Sequence, residues 1–128
     1  MKNFEDNQQV IPQVYIVVRI DGRGFTKFCD LHEFEKPNDY KAVDVMNQAA
    51  EYVVGKFEDI FLAYGQSDEY SFAFTKDCQL FERRREKIVS TVVSMFTAAY
   101  VSNFEKTYGK PLKDLPSFDG RLVVYPSL

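Results

Sequence analysis

The chain has 128 residues, a length that fits a single domain burying about two thirds of the surface of its unfolded state. Apolar residues make up 45% and aromatic residues 16% of the sequence, which excludes an intrinsically disordered chain and predicts a packed core. The formal net charge of −3 excludes a general basic field for nucleic acid, so any contact with nucleic acid would need a local basic patch.

Residue content also argues against zinc sites and membrane spans. Cys29 and Cys78 lack Cys-x-x-Cys spacing and His32 is the only histidine, so we expect no zinc site and a surface position without function for His32. The N-terminus is polar, and no apolar run approaches the roughly 20 residues of a membrane helix. We therefore expect no membrane association and an intracellular protein, cytoplasmic or nuclear, with reduced thiols.

The pattern of apolar residues predicts four strands and two long helices. The strands are apolar or alternating runs next to turn residues, at 14–18, 60–64, 70–74 and 121–125. A short helical turn is expected within 25–34. The first long helix starts near Asp39, and its apolar stripe consists of Val43, Met46, Ala50, Val53 and Phe57. The second runs from Leu80 to about Phe104 and stops before Gly109.

This order, β-α-β-β-α-β, predicts an α+β ferredoxin-like fold with an antiparallel sheet and the helices on one face. Neither a repeat nor a linker divides the sequence, so 1–128 is expected to form one domain. Right-handed crossovers place the first and third strands side by side in the middle of the sheet.

Two acids, Asp21 and Asp68, each lie where a strand meets a turn. Alone, an Asp-Gly pair such as Asp21-Gly22 is more often a turn signal than a ligand. On adjacent antiparallel strands, however, the two carboxylates would meet at one rim of the sheet. Such a pair holds two Mg²⁺ ions roughly 3.5–4 Å apart in phosphoryl-transfer enzymes. Glu69 would point across the sheet from Asp68, so we expect it to have a supporting role.

A basic run opens the second long helix. Arg83, Arg84, Arg85 and Lys87 would normally form a solvated helix face. A phosphate clamp by Arg84 and Lys87, which are three residues apart, is an equally good interpretation at a helix N-terminus. In that case Arg83 and Arg85, to either side, should matter less.

Four sequence blocks resemble the consecutive motifs of the tRNA-histidine guanylyltransferase family. They are RIDGRGF at 19–25, FEKPND at 34–39, AYGQSDEYSF at 63–72 and FDGRLVVYP at 118–126. Members of this family are reverse-direction polymerases with a polymerase-like palm. The resemblance implies addition of GMP to the 5′ end of tRNA, with tRNA-His as the most expected substrate. It further implies activation of a 5′-monophosphate by ATP or GTP, attack by the 3′-hydroxyl of GTP, two Mg²⁺ ions and a homotetramer.

The resemblance also assigns residues to roles. It makes Asp21, Asp68, Lys36 and Asn38 catalytic, and Asp21, Asp68 and the Gly22 carbonyl metal ligands. The nucleotide-contacting residues are Asp21, Gly22, Arg23, Gly24, Phe25, Thr26, Ser67, Asp68, Arg84 and Lys87. Compared with the family, the chain corresponds to the palm alone, without the further N-terminal segment and the C-terminal region. We therefore expect it to bind Mg²⁺ and nucleotide but to transfer GMP to tRNA weakly.

Two other interpretations stay open. An RNA-recognition motif has the same element order and would display Tyr70, Phe72 and Phe74 for base stacking, although Asp68 and Glu69 would repel phosphate there. A nucleotide cyclase uses the same paired acids. The sequence also leaves open whether tRNA-His or another 5′-truncated RNA is the substrate.

Overall fold

The computed structural model describes residues 8–36 and 39–127 and has the predicted element order. The elements are β1 (Tyr15–Gly22), α1 (Phe25–Leu31), α2 (Tyr40–Lys56), β2 (Ile60–Gln66), β3 (Glu69–Phe74), a 3-10 turn (Leu80–Arg83), α3 (Arg85–Tyr108) and β4 (Phe118–Tyr125). The strands form one antiparallel sheet in the order β2-β3-β1-β4. The predicted ferredoxin-like α+β fold is confirmed.

The core lies between one face of the sheet and helices α2 and α3. Val18 of β1 pairs with Phe72 of β3, and the Phe72 ring contacts Phe96 of α3 in an edge-on arrangement. Phe72 and Phe74 are fully buried, so the aromatic residues of β3 face the helices. The stacking surface expected of an RNA-recognition motif is therefore not displayed there. On the opposite face, Leu62 and Tyr64 of the edge strand β2 are about half exposed.

The boundaries of the last two elements differ from the prediction. Helix α3 begins at Arg85 rather than Leu80, because Phe81, Glu82 and Arg83 have positive φ angles of 51°, 56° and 59°. It ends at Tyr108, where Gly109 adopts the expected left-handed cap with φ 70°. Strand β4 begins at Phe118, earlier than the predicted 121, because β1 continues to pair with it up to Gly22.

Two predictions about burial are wrong. The stripe of α2 was expected to include Val43, but Val43 is 55% exposed while Val45 is fully buried, so the buried face is rotated on the helix. His32 is not on the surface: its exposure is 1%. Its Nδ1 donates to the Phe28 carbonyl at 2.8 Å, and its Nε2 accepts from the Lys113 N–H at 2.9 Å. The histidine thus ties α1 to the segment that connects α3 with β4.

Asp39 caps the N-terminus of α2 and also holds the loop before it. One carboxylate oxygen accepts from the Ala42 N–H and the other from the Glu35 N–H, both at 3.0 Å. Partial burial opposes the charged form of Asp39, but the Glu35 and Ala42 N–H donors outweigh it, and the pKa of this carboxyl is lowered. None of the helices in the described ranges has both the length and the apolar character of a membrane span.

Gly120 and Gly55 provide paired tests of the packing, with opposite expected signs. A Cβ at Gly120 of β4 would overlap Val93 of α3 and lie 3.1 Å from Val89 Cγ1, so Gly120→Ala should destabilise the fold by about 1–3 kcal/mol. Gly55 in α2 has open space around its Cβ position, so Gly55→Ala should stabilise by about 0.5–1 kcal/mol. Urea unfolding measures both values. Equal effects of the two substitutions would contradict the close approach of α3 to β4.

Asp39→Ala should lower the free energy of unfolding by about 0.5–2 kcal/mol at neutral pH, because it removes the cap. The pKa of Asp39 is lowered in the folded state, so its stabilisation is complete above the unfolded value of 3.8 and is lost as pH falls through the folded pKa. The difference between wild type and variant should therefore narrow at acid pH in urea unfolding. Asp44→Ala, an exposed site on the same helix, is the control, and a difference that stayed constant down to acid pH would contradict this role.

Candidate functional site

The site is built where β1 ends and β3 begins. Asp21 pairs with Glu69 across these antiparallel strands, and the Gly22 N–H donates to the Asp68 carbonyl oxygen at 3.0 Å. Asp21 and Asp68 are thus neighbours at one rim of the sheet, as predicted from the topology. Both are partly exposed, which leaves them accessible to a ligand.

Strand β4 adds an acid that sequence reasoning missed. Asp119 pairs with Asp21 on the side of β1 opposite to Glu69, so three acidic residues form a row across the rim. Directly paired residues in an antiparallel sheet project from the same face, so Asp119, Asp21 and Glu69 share a face. Asp119 also forms an exposed ion pair with Arg23, with Nε and Oδ1 3.5 Å apart. An earlier start for the predicted fourth strand would have revealed this pairing.

The next row on this face contains cations instead of acids. Arg19 pairs with Arg121, two residues along each strand from Asp21 and Asp119. At about 3.4 Å per residue, this row lies roughly 7 Å from the acidic one. Sequence analysis identified no basic patch outside 83–87, because these two arginines are about a hundred residues apart in the chain and meet only through the register of the strands.

The donor set at the rim suits a hard cation. In the part of the chain that the structure describes, no three or more His, Cys, Asp and Glu side chains converge to hold a metal ion. Asp21, Asp68 and the Gly22 carbonyl nevertheless offer only oxygen donors. Mg²⁺ typically uses one or two carboxylates and completes its shell with water and substrate phosphates, so the residues present fit Mg²⁺ better than a metal that needs a full protein cage.

A cavity of about 580 Å³ adjoins the rim on the side of the helices. It lies between α1, the loop before α2 and the turn from β2 to β3. Its lining includes the predicted site residues Phe25, Thr26, Lys36, Ser67 and Asp68. The volume falls within the range of small-molecule sites. The structure therefore places four of the ten predicted nucleotide-contacting residues, together with Lys36, around one cavity.

Charged groups of both signs line this cavity. Lys36 Nζ lies 2.8 Å from Asp30 Oδ1, and this hydrogen bond raises the pKa of Lys36. Cys29 also lines the cavity, and burial and then the charge of Asp68 raise the pKa of its thiol to about 11, so the thiol stays neutral. Asn38, the other residue expected near the activation chemistry, lies outside the described residues.

The turn from β1 into α1 depends on two glycines. A Cβ at Gly22 would overlap the Phe25 ring, and Gly24 takes φ 55° as the residue that precedes α1. The Arg23 N–H donates to the Ser117 carbonyl at 2.9 Å, which joins this turn to the start of β4. Thr26 is exposed at the mouth of the cavity, while Phe25 is buried beneath it.

The predicted triphosphate ligands do not line the cavity. Arg84 precedes α3 and Lys87 lies in its first turn, with Lys87 exposed and Arg84 partly so. Arg85 anchors this helix end to the sheet, because its Nη1 donates to the Leu122 carbonyl of β4 at 3.2 Å. The prediction that Arg83 lies on an exposed helix face is wrong, since Arg83 precedes the helix and is only 5% exposed.

The sequence of this chain matches a family of known proteins over nearly its whole length. Residues 1–126 match the family described as Thg1, tRNAHis guanylyltransferase. The tRNA(His) guanylyltransferases of Schizosaccharomyces pombe and Neurospora crassa are 52% and 55% identical to the chain, and each aligns with 100% of it. The alignments cover 49% and 45% of those proteins, so the chain spans about half the length of these curated relatives.

Solved structures share the fold. The crystal structure of tRNA(His) guanylyltransferase from Saccharomyces cerevisiae has a TM-score of 0.94 at 46% identity, covering 98% of this chain and 56% of the yeast chain. A bacterial tRNA(His) guanylyltransferase (Thg1)-like protein in complex with GTP has a TM-score of 0.84 at 30% identity, covering 94% of this chain and 58% of the bacterial one. A match of this extent in sequence and in fold means that the chain belongs to the tRNAHis guanylyltransferase family.

Proposed function

We propose that this chain is the catalytic palm of a Mg²⁺-dependent nucleotidyltransferase that adds GMP to the 5′ end of tRNA, with tRNA-His as the substrate. The observation that supports this proposal most directly is the register of β1 with β3, which places Asp21 beside Asp68. The family to which the chain belongs is described as tRNAHis guanylyltransferase, which supports the same reaction. GTP and ATP are the proposed nucleotides, and a homotetramer in the cytoplasm or nucleus is the proposed assembly.

Asp21, Asp68 and the Gly22 carbonyl would hold two Mg²⁺ ions, which when bound neutralise phosphate charge and activate the attacking oxygen. The protein's own residues have the remaining tasks. Thr26 and Ser67 would donate hydrogen bonds from their hydroxyl groups to the nucleotide in the cavity. Lys36, which is paired with Asp30, would stabilise the negative charge that builds up on the reacting phosphate in the transition state.

Phosphate binding would extend beyond the cavity. Arg84 and Lys87 are proposed to bind a triphosphate at the start of α3, where the positive end of the helix dipole also favours anions. The row of Arg19 and Arg121 is a second candidate for phosphate contacts, because it adjoins the acidic row on the same face. In this proposal, the 5′-monophosphate is activated and attacked at the rim, and the cationic side chains named above orient the triphosphate.

Loss of either carboxylate should remove the response to metal. Mg²⁺ should raise the melting temperature of the wild-type protein by a few degrees, since it binds only the folded state. Asp21→Asn and Asp68→Asn should stabilise the metal-free protein, because they relieve repulsion between the paired carboxylates, and should abolish the Mg²⁺ shift. Asp77→Asn, an exposed acid beyond the far end of β3, is the matched control. A full Mg²⁺ shift in either rim variant would refute the metal assignment.

The reaction itself is tested by transfer of labelled GTP to RNA with a 5′-monophosphate, using tRNA-His and a second 5′-truncated tRNA. We expect Mg²⁺-dependent GTP or ATP binding by the 128 residues, measured by calorimetry. We expect these 128 residues to transfer GMP only weakly, because a chain with a net charge of −3 has few cations available to neutralise tRNA phosphates. A chain as long as the relatives should transfer efficiently, and its Asp68→Asn variant should not. Absence of nucleotide binding at millimolar concentration, or a cyclic product, would overturn the proposal.

A further inference from the structure

Arg83 is a buried cation whose bonding capacity is fully used. Its guanidinium group carries five N–H donors, and the structure shows five hydrogen bonds from it at 2.7–3.3 Å. The acceptors are the carbonyl oxygens of Val10, Ile11, Val14, Lys76 and Cys78. The two ion pairs found in the described part of the chain do not involve Arg83. A buried charge satisfied only by backbone carbonyls fixes the position of the segments that supply them.

These segments come from two distant parts of the sequence. The strap formed by residues 8–14 precedes β1, and residues 76–78 follow β3. The strap also pairs with the backbone next to Arg83: the Val10 N–H donates to the Arg83 carbonyl at 2.8 Å, and the Arg85 N–H donates to the Gln8 carbonyl at 3.0 Å. Arg83 therefore joins the strap, the end of β3 and the start of α3 into one unit.

The backbone at this junction is held in a conformation that L residues disfavour. Phe81, Glu82 and Arg83 all have φ between 51° and 59°, and none is glycine. Such a turn persists only where surrounding contacts determine it, and strain of this kind occurs most often at functional sites. The side chain of Gln9 supports it as well, by donating to the Glu82 carbonyl at 2.8 Å. The turn ends at Arg84, the first of the two cations proposed to bind triphosphate.

We propose that Arg83 is a positioning residue for triphosphate binding: by fixing the left-handed turn and the strap, it sets the direction in which Arg84 and Lys87 leave the start of α3. This inference rests on the proposed function, in which Arg84 and Lys87 contact the triphosphate. Arg83 itself is enclosed by carbonyl groups and does not reach the ligand.

The test compares nucleotide with nucleoside binding by calorimetry in Arg83→Lys, Arg83→Met and Arg84→Ala. Lysine keeps the charge but has three donors in place of five, so the turn should relax while the protein still folds. We expect Arg83→Lys to weaken binding of Mg²⁺–GTP about tenfold, the equivalent of one charge-assisted hydrogen bond, and to leave guanosine binding unchanged. Arg83→Met removes the charge and all five donors, so it should weaken Mg²⁺–GTP binding at least as much as Arg83→Lys does; if Arg83→Met fails to fold, the result with Arg83→Lys decides the test.

Two controls separate positioning from general stability. Val53→Ala, which opens a cavity in the buried face of α2, should lower the melting temperature without changing the ratio of GTP to guanosine affinity. In a protein that already carries Arg84→Ala and Lys87→Ala, Arg83→Lys should cause no further loss of GTP affinity, because Arg83 acts through those side chains.

The outcomes distinguish this inference from the function it rests on. Wild-type GTP affinity in folded Arg83→Lys, with a loss in Arg84→Ala, would overturn the positioning role and leave the triphosphate clamp intact. An additive loss in the triple variant would also overturn it. Unchanged GTP affinity in Arg84→Ala and Lys87→Ala would overturn the clamp itself, and with it the role of Arg83.

Discussion

Strand β1 is hydrogen-bonded to β3 on one side and to β4 on the other, and every proposed catalytic group at the rim depends on this double pairing. The register is fixed by burial, because Ile16, Val18 and Ile20 are fully buried under the helices. A slip of one residue would move these side chains to the exposed face and carry Asp21 to the helix face. The free energy that stabilises the core is therefore also what places the carboxylates, and core variants that loosen β1 would affect chemistry as well as stability.

The same register sorts charge along the exposed face of the sheet. The rim collects acids from three strands, and the adjacent row pairs Arg19 with Arg121. Acids so close together repel one another, and the ion pair of Asp119 with Arg23 offsets part of this repulsion. In the proposed function, these rows of opposite sign, about 7 Å apart, would hold a metal-bound phosphate on one side and a free phosphate oxygen on the other. A net charge of −3 is compatible with anion binding when the cations are grouped in this way.

The sequence predicted the element order, the sheet and the position of Asp21 beside Asp68, because these follow from local periodicity and from the rules of strand connection. It failed where a residue's environment is set by distant segments. His32 was expected on the surface, but its ring nitrogen bonds to Lys113, 81 residues away. Arg83 was expected on a helix, but its partner Val10 is 73 residues away. Neither contact leaves a local signal, and the left-handed turn before α3 contains no glycine to mark it.

The three consecutive arginines at 83–85 have different environments and different hydrogen-bond partners, so they cannot all be counted as ligand-binding cations. Arg83 is buried and uses its donors internally, while Arg84 is partly exposed and its side chain donates from Nε to the Phe81 carbonyl. Arg85 reaches β4 through Nη1 and leaves its buried Nε without a partner. The division coincides with the end of the left-handed turn, because Arg83 is its last residue and Arg84 has extended backbone angles before α3 begins. Arg83 and Arg85 thus form hydrogen bonds that hold the fold together. Arg84 and Lys87, which lies one helical turn further on, are the pair available to a ligand.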